Sequence, residues 1–144
     1  MHISKKSQDG FTIIEIMIVI TIIGMLMAVL IPAYRSQQKR ATQGATKVQM
    51  KQIASALEQY NEDMGDYPQT LKDLVKEPSD EKAREQWRGP YFETKNNEAP
   101  KDPFNKPYRY APTPNADHPY ELISYGSSSG KGSAKKDWID VWKI

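Results

Sequence analysis

Polar and apolar positions divide this chain into stretches of sharply different character. Met1 to Gly10 is polar and ends in glycine, whereas Phe11 to Tyr34 is almost wholly Ile, Met, Val and Leu. Inside that apolar run lie one charge, Glu15, one small flexible residue, Gly24, and Pro32 near the far end. As a helix the run covers roughly 36 Å, enough to cross a hydrocarbon core of about 30 Å, and it reads as a membrane span. Beyond Tyr34 the residues turn polar without a turn signal, so the helix is expected to continue, kinked at Pro32 by the missing backbone donor. Ala45, Val48, Ile53, Leu57, Tyr60 and Met64 then recur mostly at three- and four-residue steps, with one longer lapse. That spacing predicts an amphipathic helix whose single apolar stripe packs a core. Gly65 is placed to cap it and Pro68 to stop the chain from resuming it. One helix from about Phe11 to Met64 follows.

The rest of the chain reads as short elements. Thr70 can cap a small helix carrying Leu71, Leu74 and Val75, with Asp73 placed to reach back and Pro78 to end it. Asp80 to Arg88 suits another helical turn, with Trp87 as an anchor. Asp102-Pro103 and Asn105 form turns, after which Tyr108 to Ala111 begins a strand. Tyr120 to Gly126 alternates as a second strand and Trp138 to Trp142 as a third. Three short antiparallel strands against a helical spine make an α+β head.

Composition narrows the function classes. The 144 residues suit one span and one small soluble domain. A net charge of +2 gives no case for nucleic acid, and the absence of cysteine excludes disulfide frameworks and thiolate metal sites. His2 and His118 are the only histidines, too few for a histidine cluster. His118 sits in a turn between Asp117 and Pro119, and no nucleophile–base–acid order surrounds it, so no enzyme is expected. The loop Gly126 to Asp137 is rich in Gly, Ser and Lys, but it lacks the glycine spacing and the Ser or Thr after Lys that a phosphate-binding loop needs. It reads as a hairpin connection.

The candidate chemistry lies at the start of the apolar run. An acid within a span costs a few kcal/mol unless partnered, so Glu15 is a functional candidate. A secretory signal is cut after its apolar core. Here the candidate cut, after Gly10, precedes the apolar run, which would leave the span in place with a free amine on Phe11.

Lys5-Lys6 followed by Gly10-Phe11-Thr12-Ile13-Ile14-Glu15-Ile16-Met17-Ile18-Val19 resembles the class III signal of type IV pilins and pseudopilins. The resemblance implies a pilin-like fold: a long N-terminal helix, part membrane and part amphipathic, on short helices and a small three-stranded antiparallel sheet. It divides the chain into a leader, 1–10, a transmembrane stalk, 11–34, and a periplasmic head, 35–144, that includes the second half of the long helix. It further implies that a prepilin peptidase cuts after Gly10 and methylates the Phe11 amine. Glu15 matches the glutamate that neutralises that amine on a neighbouring subunit, and Pro32 the helix proline; opposite charges buried together in lipid attract far more strongly than in water. Placement in the bacterial inner membrane, N-terminus cytoplasmic and head periplasmic, is implied too. Counting charges opposes it: Lys5 and Lys6 precede the span, but Arg35, Lys39, Arg40, Lys47 and Lys51 follow it.

Two blocks of the head, Tyr67-Pro68 with Thr70-Leu71, and Asp102-Pro103-Phe104 leading into Tyr108-Arg109-Tyr110, resemble the G-type pseudopilins of type II secretion systems. That resemblance implies a structural subunit that polymerises into a periplasmic pseudopilus driving export across the outer membrane. Its implied partners are further copies of itself, minor pseudopilins, the prepilin peptidase, an inner-membrane assembly platform and membrane lipid. A type IV pilin or minor pseudopilin is the alternative within that class, and a monomeric membrane-anchored binding module the alternative outside it. In G-type pseudopilins the loop before the last strand binds calcium. The matching candidates here are Tyr125, Ser128, Asp137 and Asp140, with Ser128 where the family has an acid, and Lys131, Lys135 and Lys136 nearby with the wrong sign for a cation site.

Overall fold

The computed structural model describes residues 10–114, 117–127 and 135–144. Helix α1 runs Ile13–Met64 and passes through Pro32 without a break. Its N-terminal part, up to Gln38, and the segment Lys39–Ile144 form two separate compact units. In the first unit every large apolar side chain from Phe11 to Tyr34 is exposed. At about 1.5–3 kcal/mol per side chain removed from water, tens of kcal/mol drive this surface into lipid or onto other apolar helices.

In the second unit α1 is the spine of an α+β head. Its buried residues are Thr46, Met50, Ile53, Ala56 and Leu57. The expected stripe is correct from Ile53 upward and wrong below it, because Ala45 and Val48 face solvent, Val48 with 60% of its surface exposed. The buried line runs 46, 50, 53, 57, which removes the five-residue lapse. Thr46 can occupy an apolar face because its hydroxyl donates to the Thr42 carbonyl at 2.8 Å. Gly65 ends α1 in a left-handed conformation, φ 78°, its N–H on the Asn61 carbonyl at 2.8 Å.

A short 3-10 turn, Leu71–Leu74, follows, and the Asp73 carboxylate accepts the Thr70 N–H at 2.9 Å, as the capping pattern predicts. Helix α2, Glu81–Gln86, is capped by Asp80 accepting from the Ala83 N–H at 3.1 Å. Trp87 anchors its end by donating its indole N–H to the Asp73 carbonyl at 3.3 Å.

The sheet has strands β1 Arg109–Pro112, β2 Tyr120–Ser124 and β3 Ile139–Asp140, antiparallel in that order. Arg109 pairs with Ile123 and Pro112 with Tyr120, while Ser124 pairs with Ile139. β1 starts one residue after the expected position, and β2 and β3 lie where alternation put them but are shorter. The third gives way to a 3-10 turn, Val141–Lys143, because Asp140 caps that turn by accepting the Trp142 N–H at 3.1 Å. Met50, Ile53 and Leu57 of α1 share one core with Leu74, Tyr108, Tyr120, Leu122 and Ile139. Burial raises the pKa of Tyr108, Tyr110 and Tyr120 above the ordinary phenol value. Tyr110 donates to the Pro68 carbonyl at 2.7 Å, and Tyr108 to Gln49 on α1 at 2.8 Å.

Candidate functional site

The N-terminal motif adopts a defined helix start. Thr12 is the cap: its hydroxyl accepts the Glu15 N–H at 3.3 Å, and its carbonyl the Ile16 N–H at 3.2 Å. Gly10 and Phe11 lie before the first turn, exposed, Phe11 at 80%. The first of the candidate positions, the Gly10–Phe11 peptide, therefore lies outside the helix and exposed. Glu15 lies in the first turn of α1, where the positive helix end favours a carboxylate by about 0.3–1 kcal/mol. That is less than the about 2.5–3.5 kcal/mol an acid costs at the centre of a span. A cation held close to Glu15 would close the difference. Pro32 lies on the same exposed apolar helix, one turn before the polar residues begin.

Sequence reasoning missed Thr12, although Thr12-x-x-Glu15 has the spacing of a capping box. It also missed Thr21, whose hydroxyl donates to the Met17 carbonyl at 2.7 Å. That bond leaves a polar residue on the exposed apolar helix with its donor satisfied.

A second constellation sits where β2 leaves the sheet. Asp102 is 3% exposed and fully engaged. Its Oδ1 accepts the Phe104 and Lys106 N–H groups at 3.1 and 2.8 Å, and its Oδ2 accepts the Ser124 hydroxyl at 2.7 Å. The Ser124 oxygen in turn accepts the Gly126 N–H at 3.1 Å, and the Gly126 carbonyl accepts the Lys106 ammonium at 3.2 Å. The ring closes on Lys106, whose backbone and side chain hold its two ends. Asn105 makes this turn by taking φ 61°, a left-handed conformation that asparagine tolerates. Gly126 has φ 63°, and a Cβ there would lie 2.5 Å from the Asp137 carbonyl oxygen. The loop's two ends therefore meet at van der Waals contact.

Of the candidate calcium ligands, Ser128 lies outside the described residues. Asp137 forms an ion pair with Lys39 of α1 at 3.2 Å. Asp140 accepts the Trp142 N–H and pairs with Lys143 at 3.6 Å. The Tyr125 ring packs edge-on against Trp138, centroids 5.0 Å apart. Among the described residues no group of three or more His, Cys, Asp or Glu side chains is placed to hold a metal. Calcium asks for six to eight oxygens with several carboxylates; Gly126 to Asp137 contains one carboxylate and three lysines. The donor set does not fit the ion.

An exposed apolar helix opened by a capped Phe-Thr-x-x-Glu start, on a small α+β head, defines a membrane-anchored protein of the pilin-like class. Residues 5–31 match the prokaryotic N-terminal methylation motif. Residues 33–142 match the family described as type II secretion system protein G, and the chain belongs to that family. Among its relatives is a type II secretion system core protein G of Pseudomonas aeruginosa, 35% identical over 92% of this chain and 93% of that protein. Core protein G of Klebsiella pneumoniae is 31% identical over 96% of this chain and 97% of that one. The Vibrio cholerae counterpart is 28% identical over 88% and 86% respectively.

Proposed function

We propose that this chain is the subunit that builds the pseudopilus of a type II secretion system. A peptidase removes 1–10 by cutting after Gly10, and Phe11 becomes the methylated N-terminus. The span 11–34 anchors the subunit in the inner membrane with the head, 35–144, in the periplasm. Copies then leave the bilayer into a filament whose core is made of the apolar helices, with Glu15 setting the register by pairing with the Phe11 amine of the next copy. Minor pseudopilins and the membrane assembly platform are the further partners.

The observation that carries this reading is the pairing of an exposed apolar helix with a single carboxylate in its first turn. A monomeric anchor needs the apolar surface but has no use for the acid. The discriminating variant is Glu15→Leu in the native host. We expect the intact mass to show cleavage after Gly10 as in the parent, while crosslinked oligomers and protein export are lost. Unchanged crosslinking and export would favour a monomeric binding module. Retention of Met1 to Gly10 in the working form would remove the amine and sink the pairing.

A further inference from the structure

We infer that the base of the loop between β2 and β3 is closed by two lysine ammonium groups acting where the resemblance implies a calcium ion, so the head folds and holds its shape independently of calcium. The loop must be tied at both ends, and each tie is a cation on an oxygen. On the β2 side the Lys106 ammonium sits on the Gly126 carbonyl at 3.2 Å. On the β3 side the Lys39 ammonium sits on the Asp137 carboxylate at 3.2 Å. Backbone carbonyl and carboxylate are the oxygen types a divalent ion would gather. Here they are already taken by single positive charges that the polypeptide supplies.

The surroundings favour ammonium over metal. Lys106 is half-buried, and its own N–H is fixed on Asp102, so its side chain starts from a rigid turn. Asp102, the buried carboxylate nearest in the network, has both oxygens occupied by N–H and O–H donors. A metal would have to displace those donors and strand them. Lys39 projects from α1, so the Asp137 tie also fastens the loop to the spine. A divalent ion approaching either oxygen would meet the ammonium already seated on it, and like charges repel.

The test uses the full mature chain in detergent micelles and follows thermal unfolding by tryptophan fluorescence, with calcium chloride or with EDTA. We expect the same Tm in both. Lys106→Met keeps the apolar stem and removes the charge; it should lower Tm by several degrees in calcium and in EDTA alike, with Lys39→Met giving a smaller drop because that pair is more exposed. A parent Tm that rises with calcium concentration would overturn the inference, as would a Lys106→Met protein as stable as the parent. Should Lys106→Met not fold, the calcium series on the parent chain still decides.

Discussion

Asp102 shows how much one side chain can organise. Three donors converge on it from its own turn and from β2. Asp102→Ala leaves two backbone N–H groups and a buried hydroxyl without an acceptor, and should cost about 3 kcal/mol or more, measurable as a lowered urea midpoint. Gly126→Ala should be comparably harmful for a different reason, since both its left-handed backbone and its contact with Asp137 forbid a Cβ. Tyr67 offers a milder test. Burial and a hydrogen bond to Glu58 at 3.0 Å push its hydroxyl up to about 12. The unfolded phenol titrates near 10, so the fold prefers the protonated form. Stability from this group is intact below about pH 10 and is lost as pH rises towards 12. Glu58→Gln should bring the Tyr67 titration down, read by phenolate absorbance.

Within α1 the useful comparison is between a residue that belongs to the core and one that merely looked as though it did. Leu57→Ala empties fully buried space and should cost about 2–5 kcal/mol, whereas exposed Val48→Ala should cost less than about 0.5 kcal/mol, both read from urea unfolding. The elements themselves were largely legible. Turn residues located the first strand and alternation the other two, and Gly65, Thr70 and Asp80 marked helix ends, because these are local effects of spacing and caps. Strand lengths were not legible, since Asp140 turns the last strand aside by capping the next turn. Nor was Thr46, a polar residue hidden in the stripe by a bond to its own helix. The motif Gly10 to Glu15 was plain because its chemistry is contiguous. Lys39 with Asp137 was not, because the fold alone brings those two residues together.

For the whole molecule, the 3-10 turns, short strands and aromatic contacts of the head contrast with an apolar helix segment whose large side chains are exposed among the described residues. A detergent exchange for amphiphile-free buffer should aggregate the full mature protein, while Glu15→Leu should leave that behaviour unchanged, since the apolar surface dominates it by tens of kcal/mol. Light scattering checks both. The Glu15 variant thus separates insertion, which the apolar residues drive, from assembly, which the proposed pairing assigns to the charge.

The core draws Met50, Ile53 and Leu57 from the early part of the chain and Tyr120, Leu122 and Ile139 from the late part. At about 5–20 residues per second, a ribosome finishes the second set roughly 4–16 s after the first. Through that interval the spine's greasy edge has nothing to lie against. Whatever escorts the emerging polypeptide must therefore shield this edge as well as the apolar helix, and a version shortened before Ile139 would emerge without its closing piece.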